Sequence, residues 1–262
     1  TGIVAVLDWE VAYIGDPMRD LGWILTHSWR FGRDELPVGG FGEVADLFAG
    51  YESVSGKAVD PEAVRFWQVF GSFWWAVGCL GMAEHYRNGP DKTVERPAIG
   101  RRSSECQVDC VNLLIPGSVV LEQPRQPAAA MPAMEELLTS VSDFLRDEVM
   151  ANTQGRLQFL ARVAANSLDI VQREQALAAP GLVNEERRLR ALFGEPEDSA
   201  VDLDELRWRL VHELREGSMP LQSDLLQEHL RTTVVNQIAI DQPRYAGCKT
   251  ATNGAKTQTG GD

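Results

Sequence analysis

The sequence has few basic residues, few histidines and no long apolar segment. Its 25 lysines and arginines are outnumbered by 38 aspartates and glutamates, which gives a formal net charge of −13. Binding to nucleic acid or to an anionic membrane would need a basic face, so we expect neither as a partner. The sequence contains neither an apolar stretch of 18 residues nor the pattern of a signal peptide. We therefore expect a cytoplasmic location.

Cysteine is also scarce, and four scattered cysteines do not form a dense disulfide framework. Cys106 and Cys110 are the one close pair, and their three intervening residues suit one face of a helix. A structural zinc site would need a second pair of ligands. We expect reduced thiols with a structural role, and a metal site is the alternative.

The first part of the chain predicts one short strand followed by helices. Residues 3–7 are aliphatic without polar alternation, which is typical of a strand covered on both faces. Two helix starts are marked by an aspartate followed by a proline, because the aspartate caps free amides and the proline needs no donor there. The expected helices span residues 16 to about 29, about 42 to 53, 60 to about 87, and about 104 to 114.

The third of these helices is apolar nearly all round, with many aromatic residues between Phe66 and Met82. Such a helix is expected to be buried on several sides. Core packing is the favoured interpretation of its aromatic side chains, because aromatics dominate cores by area. The alternative is that they line a substrate pocket.

Three arginines follow that helix, at Arg96, Arg101 and Arg102. They could meet an anionic substrate. Ion pairs with the surrounding acids on a solvated face are the favoured interpretation.

The composition changes at residues 116–132, where prolines and an alanine run predict a linker. From residue 133 to 247 the apolar residues follow helical spacing, which predicts an α-helical bundle. Its shorter helices are expected near residues 184–193, 203–214 and 221–238. The tail, residues 248–262, has little to bury and is expected to be disordered. The fold expected overall is mostly α, with few strands.

Two carboxylates stand at the end of the predicted strand. Asp8 follows Leu7 directly, and Glu10 comes two residues later. Mg²⁺ prefers such oxygen ligands, particularly when phosphate oxygens complete its shell. In phosphoryl transfer the protein contributes mainly positioning and electrostatic stabilisation, so an aspartate on the metal is essential. The alternative is an aspartate that merely caps a turn.

The segment LDWEVAYIGDPMRDLGW, residues 7–23, closely resembles the aminoglycoside phosphotransferase and choline kinase-like family. In that family a strand ends in (I/L)-D-(W/F)-E, followed by G-D-P-x-x-D-L. The resemblance implies the C-lobe of a protein-kinase-like fold and the transfer of phosphate from ATP, with Mg²⁺, to a hydroxyl of a small molecule. It implies that Asp8 holds magnesium and that Asp20 braces the backbone of the catalytic loop. Glu10 either reaches a second metal through water or caps the following turn.

Two further segments are similar to one branch of this family. SWRFG at residues 28–32 and ERPAIGRRSSECQVD at residues 95–109 look like the kinase-like domains found with acyl-CoA dehydrogenases. This similarity implies a small metabolite or a hydroxyacyl thioester, such as a hydroxyacyl-CoA, as the phosphate acceptor.

The sequence lacks two parts of the family pattern. The loop H-x-D-x-x-x-x-N, which carries the general base, should precede Asp8, and none of the four histidines is followed by Asp two residues later. The nucleotide-binding N-lobe with its lysine should also precede it. The chain has no initiating Met, so we expect a fragment. Residues 1–115 would be the C-terminal part of the kinase-like phosphotransferase domain, and the general base would lie upstream of residue 1. We predict that this chain alone is inactive.

The second half resembles a helical domain of unknown function that is found at the C-terminus of such phosphotransferases. The segments that carry this resemblance are GRLQFLARVAANSLDIVQRE and HLRTTVVNQIAIDQPRYAG. Arg156, Arg162, Asn166 and Arg173 recur at helical spacing in the first of them. A solvated face is the favoured interpretation, and a surface for a ligand or for the kinase domain is the alternative.

Two functions from different classes follow. The first is a small-molecule phosphotransferase, with the helical domain packed on the kinase-like domain. The second is a noncatalytic regulatory or interaction module built on a kinase-like remnant.

Overall fold

The computed structural model describes residues 5–121 and 133–253, and these ranges are mostly helical, as predicted. Contacts divide the chain into two compact units, Thr1–Ser72 and Phe73–Asp262. The α-helices of the described ranges are α1 Met18–Leu25, α2 Val44–Ser55, α3 Pro61–Asn88, α4 Glu95–Arg101, α5 Ser103–Leu114, α6 Met134–Asp143, α7 Gly155–Phe193, α8 Leu203–Glu216, α9 Asp224–Asp241 and α10 Ala246–Asn253.

The strand predicted at residues 3–7 is not a strand where the structure describes it. Residues 3 and 4 lie outside the described ranges, and residues 5–7 have no regular structure. Val6 is 62% exposed and Leu7 is 77% exposed, whereas burial on both faces was expected. A strand needs a neighbour for its amide and carbonyl groups, and no described segment pairs with residues 5–7.

The first unit has a core between α1, α2 and the beginning of α3. Asp16 starts α1 as predicted, because its Oδ1 accepts a hydrogen bond from the Met18 amide at 2.9 Å. The helix ends earlier than expected, at Leu25, and a 3₁₀ turn, His27–Trp29, follows it. The buried core residues are Met18, Leu21, Leu25, Val38 and Val64.

Helix α3 has the predicted length, but its predicted burial on several sides is wrong. Val64 and Cys79 are buried, whereas Phe66, Phe73 and Leu80 are 56–61% exposed. Burial depends on how many elements pack against a helix. The described chain covers only part of the surface of α3, and its apolar composition alone does not reveal this.

The second unit packs α5 and α10 against α9, and α6 and α9 against α7. Helix α7 is continuous over 39 residues and contains Pro180, so the separate helix expected near residues 184–193 is its last part. One core cluster joins α5, α9 and α10. A second joins the end of α7 to α8 and the start of α9 through Leu189, Leu206, Leu210, Met219 and Leu226.

The expected disorder of the tail, residues 248–262, is wrong for its first part, because α10 extends to Asn253. Cys248 and Ala251 are buried against α5 and α9. Small residues suffice here because α10 lies very close to α5. A Cβ at Gly247 would lie 2.9 Å from Val108 Cγ1. Residues 254–262 lie outside the described ranges.

Residues 116–121 pack on the protein at the start of the predicted linker. The Val119 amide donates to the Ala251 carbonyl oxygen at 3.1 Å, and Leu121 contacts the core cluster of α5, α9 and α10. Residues 122–132 lie outside the described ranges. The division at residues 116–132 stays a prediction, whereas the contact-based boundary falls within α3.

All four cysteines are thiols, and Cys79, Cys106 and Cys248 are buried. Burial raises the pKa of the Cys110 thiol to about 12, with a further contribution from the Asp109 charge. In residues 5–121 and 133–253, no helix combines the length and the apolarity that crossing a bilayer would require.

Candidate functional site

Asp8 and Glu10 lie on a tight turn that begins the acidic segment of residues 8–20. The 3₁₀ turn is Trp9–Val11, and the Val11 amide donates to the Asp8 carbonyl oxygen at 3.0 Å. Asp8 has φ 62° and ψ 37°, which is the left-handed region. Aspartate and asparagine tolerate this region better than other residues with a Cβ, and such conformations cluster at functional sites. The turn therefore presents two exposed carboxylates on a defined backbone.

The end of the acidic segment is attached to α3. Trp67 Nε1 donates to Asp16 Oδ2 at 2.8 Å. The Arg19 guanidinium lies 4.4 Å from the centre of the Tyr13 ring and 5.7 Å from that of Trp67. Hydrogen bonds from Trp67 and from the Met18 amide hold the pKa of Asp16 below its usual range. Asp16 is thus a structural anchor for the segment.

Sequence reasoning missed this anchoring role. Asp16 was interpreted only as a helix cap, and Trp67 is 51 residues away. A hydrogen bond between side chains at such a separation leaves no local pattern in the sequence. The only signal was the indole of Trp67 itself, because the N–H of a partly buried Trp usually finds an acceptor.

Asp20 lies in the first turn of α1 and is exposed. It does not form a cluster with the other predicted site residues. Across residues 5–121 and 133–253, no group of three or more acidic, histidine or cysteine side chains could hold a metal ion. The described chain therefore contains at most a partial set of metal ligands around Asp8 and Glu10.

A partial set of this kind fits magnesium that arrives with phosphates. Mg²⁺ keeps several waters and is usually bound by one or two carboxylates plus substrate phosphate oxygens, not by an all-protein cage. Asp8 and Glu10 supply two exposed carboxylates within one turn. The donor chemistry of the turn is therefore compatible with the magnesium ion of a bound nucleotide.

The three arginines that follow α3 all form ion pairs, as the favoured interpretation predicted. Arg96 Nε lies 2.7 Å from Asp91 Oδ2, and Arg102 Nε lies 3.1 Å from Glu105 Oε2. Arg101 bridges to α9 and α7, with NH1 3.1 Å from Asp241 Oδ1 and NH2 on Glu174. The prediction that these ion pairs lie on a solvated face is wrong for two of the acids. Glu105 and Asp241 are buried, and burial raises the pKa of each.

The polar residues of α7 also contact other elements. Arg173 Nε donates to the Ile240 carbonyl oxygen of α9, and Arg156 NH1 lies 3.3 Å from Glu95 Oε1 of α4. Asn166 borders a cavity of about 230 Å³ between α4, α5 and α7. Arg162 lies over the Phe159 ring at 5.5 Å. A solvated face therefore describes only part of this surface.

A second cavity, of about 670 Å³, lies between α7, α8 and α9. Charged groups meet at one end of it. Arg207 forms two hydrogen bonds to Glu185, from Nε at 2.8 Å and from NH2 at 2.7 Å. Arg188 NH2 donates to Thr233 Oγ1 at 3.2 Å. We refer to Glu185, Arg188, Arg207 and Thr233 as the polar end of the cavity.

His229 lies on α9, one turn before Thr233, and is 4% exposed. Burial first, and then the Arg188 and Arg207 charges, lower its pKa from 6.5 to about 4, although the Glu185 charge opposes them. The folded protein therefore holds this histidine neutral at pH 7 and resists its protonation.

This shift predicts acid sensitivity. Because the pKa of His229 is lower in the folded protein than in the unfolded chain, its stabilising contribution is present above pH 6.5 and is lost as the pH falls toward 4. Between pH 7.5 and pH 5 we expect the free energy of unfolding of wild type to fall by about 2 kcal/mol more than that of His229→Gln. Urea unfolding at both pH values measures this. Equal losses in the two proteins would contradict it.

Two family models match separate parts of the chain. Residues 1–56 match the model of the phosphotransferase enzyme family, and this match includes the acidic segment, α1 and α2. Residues 151–245 match DUF6285, a domain of unknown function, and this match includes α7, α8 and α9. No curated protein and no solved structure matches the chain. At a coarse level, the first match relates the chain to phosphotransferases.

Proposed function

We propose that this chain carries the magnesium-binding part of an ATP-dependent phosphotransferase that acts on a hydroxyl of a small metabolite. The observation that carries the proposal is the turn at Asp8, where a left-handed aspartate begins a segment with every marker of the family motif. The match of residues 1–56 to the phosphotransferase family supports it.

Each acidic residue has a distinct role in this proposal. Asp8 holds the magnesium ion, and Glu10 either reaches a second metal through water or caps the turn. A magnesium ion held there would neutralise negative charge on the phosphates during transfer. Asp16 keeps the segment on α3 through Trp67, and Asp20 supports the catalytic loop.

The general base belongs to a part of the domain that this sequence does not contain. Such a base accepts the proton of the substrate hydroxyl, and in kinases it is the Asp of a loop that begins with His. None of His27, His85, His212 or His229 is followed by Asp two residues later. We therefore propose that the chain is inactive until it is joined to the segment that carries this loop and the nucleotide-binding lobe.

The proposal also concerns the phosphate acceptor and the packing of the helical domain. Similarity of residues 28–32 and 95–109 to one branch of the family supports a small metabolite or a hydroxyacyl thioester as the acceptor. The ion pair of Arg101 on α4 with Asp241 on α9 supports packing of the helical domain on the phosphotransferase part. A cytoplasmic location fits a kinase that uses ATP.

A noncatalytic interaction module is the second candidate. One observation favours it: none of the four histidines in the sequence is followed by Asp two residues later, so the sequence shows no histidine-aspartate loop. In that case the kinase-like part would serve as a scaffold for the helical domain.

An activity assay separates the two candidates. We expect the purified 262-residue chain to transfer no phosphate from ATP with Mg²⁺, because it has no general base. The same chain expressed with the coding sequence upstream of Thr1 should transfer phosphate to some member of a panel of hydroxyl compounds, and EDTA should abolish this transfer. Phosphate transfer by the 262-residue chain alone would contradict the proposal that the general base lies in another segment. An upstream sequence without the lysine and the histidine-aspartate loop would support the noncatalytic module.

A further inference from the structure

One face of helix α6 carries exposed apolar side chains, and this row continues into the turn that follows the helix. The four members are 49–58% exposed, and they are Met134, Leu137, Val141 and Phe144. The helix packs on α7 through a different face, where Ser142 is buried and its Oγ donates to Asp169 Oδ1 at 3.3 Å. The described packing of the second unit therefore makes little use of these four side chains, which we call the apolar row.

The spacing of the apolar row is that of a seam between two helices. Its members follow one another at steps of three, four and three residues. This is the a/d pattern by which helices of a coiled coil pack against each other. From Met134 to Phe144 the row covers 10 residue steps, about 15 Å or nearly three turns. A partner helix with apolar residues at matching positions would fit such a row.

The surroundings of the apolar row are acidic. Residues 133–152 contain five acidic residues and one basic residue, Arg146. That arginine is already ion-paired, because its NH2 lies 2.7 Å from a carboxylate of α7. Asp143, Asp147 and Glu148 are exposed, and no described cationic side chain forms an ion pair with any of them. A partner at the apolar row would therefore meet negative charge at its edge.

A π-helix, Phe144–Met150, begins at the end of the apolar row. Such helices are rare, and where they occur within a longer helix they are frequently at functional sites. The wider turns move the residues after Phe144 out of the a/d pattern. Leu145 and Val149, the next apolar residues, are accordingly less exposed than the row. The π-helix thus limits the apolar row to the four residues that end at Phe144.

We propose that the apolar row is a docking site for a basic amphipathic helix of a partner protein. The apolar side chains of that helix would pack between those of the row, and its lysines or arginines would lie against Asp143, Asp147 and Glu148. A second copy of this chain that paired through the same face would bring these acids together. An anionic membrane would meet them as well. Repulsion between like charges therefore disfavours both of these other occupants.

The peptide LKKLLKLLKKLLKL, which forms a basic amphipathic helix, is the probe for this surface. Fluorescence anisotropy with the labelled peptide and the full 262-residue chain should show saturable binding with one site per chain. The peptide LEELLELLEELLEL has the same apolar pattern and the opposite charge, so it should bind at least about tenfold more weakly. Equal affinity for the two peptides would overturn the proposal, as would a lack of binding by the basic one.

A change within the apolar row tests where the peptide binds. Val141→Gln removes an apolar side chain from the middle of the row and should weaken binding of the basic peptide about tenfold or more. Val183→Gln is the matched control, because Val183 is an exposed valine on another helix, α7. The control should change the affinity less than about twofold. Circular dichroism checks that both variants are folded.

A change of charge tests the acidic edge separately. Replacing Asp143 and Asp147 together by asparagine should weaken binding of the basic peptide about fivefold or more. The pair Glu197→Gln and Asp198→Asn removes two other exposed acids and alters the net charge by the same amount. This control should change the affinity less than about twofold, because it leaves the edge of the apolar row intact. Equal effects of the two double variants would show that the peptide responds only to net charge, and would overturn the site.

Two further measurements test the other occupants. Analytical ultracentrifugation should show no self-association that Val141→Gln abolishes. Sedimentation with vesicles of phosphatidylcholine and phosphatidylserine should show no binding that this variant abolishes. Either result would overturn the proposal, because it would identify a second copy of the chain or a lipid surface as the occupant. Unchanged peptide affinity in both Val141→Gln and the variant of Asp143 and Asp147 would also overturn it.

Discussion

Replacing Asp8 by asparagine should lower the kcat of the proposed phosphotransferase, expressed with its upstream coding sequence, by about 10³-fold or more while leaving its fold intact. Asparagine has the same shape and also tolerates the left-handed conformation that Asp8 adopts at φ 62°. The substitution therefore removes the charge and preserves the turn. A neutral amide oxygen is a much weaker ligand for a hard cation than a carboxylate. Steady-state kinetics across a magnesium titration measures the loss.

Glu10→Gln is the matched control, because it removes one carboxylate from the same exposed turn. If Glu10 only caps the turn, this variant should lose less than about tenfold in kcat. A comparable loss in both variants would instead indicate that Glu10 helps to hold a metal. If Asp8→Asn retained most of its activity, the assignment of magnesium to Asp8 would be wrong. Thermal unfolding of both variants should match wild type.

Elements with local signals could be predicted from the sequence. At the start of α3, Asp60 Oδ1 accepts hydrogen bonds from the amides of Glu62 at 3.0 Å and Ala63 at 3.3 Å. These contacts span three residues, so the pair of Asp60 and Pro61 identified them directly. The same reasoning located α1 from Asp16 and Pro17.

Properties that depend on distant neighbours could not be predicted in the same way. The residues of α10 are small and polar, so composition alone indicated disorder. They are ordered because Asn112 Nδ2 donates to the Gly247 carbonyl oxygen at 2.9 Å, and Tyr245 donates to Asp109 Oδ2 at 2.7 Å. Both contacts join residues more than 130 positions apart. Together with the burial of Cys248 and Ala251 against α5 and α9, these contacts stabilise the helix.

The candidate site also combines features with a local sequence signal and features that depend on distant residues. The motif around Asp8 is continuous in the sequence, and its residues could be identified by resemblance. The conformation of Asp8 and the hydrogen bond of Asp16 to Trp67 could not, because the first is a backbone property and the second is made across two elements. The cavity between α7, α8 and α9 had no sequence signal beyond the pair of Pro180 and Gly181 in its lining helix, which by itself predicts only a break.

Gly22→Ala should destabilise the first unit by about 1–3 kcal/mol, even though alanine is the better helix former. A Cβ at position 22 would lie 2.6 Å from Trp67 Cβ and 2.7 Å from the backbone nitrogen of Gln68. These atoms belong to the body of α3, so they cannot rotate away as the end of a flexible side chain could. The close approach of α1 and α3 at this point therefore requires glycine.

Gly50→Ala in α2 is the control for helix propensity. A Cβ at Gly50 would meet no atom within 4 Å, so this variant should gain about 0.5–1 kcal/mol. Amide hydrogen exchange in α1 and α2 measures both effects within the first unit, without assuming that the two units unfold together. Stabilisation by both alanines would show that α1 and α3 are further apart than described. Because Trp67 also holds Asp16, Gly22→Ala should increase exchange at the Met18 amide, which Asp16 caps, whereas Gly50→Ala should not.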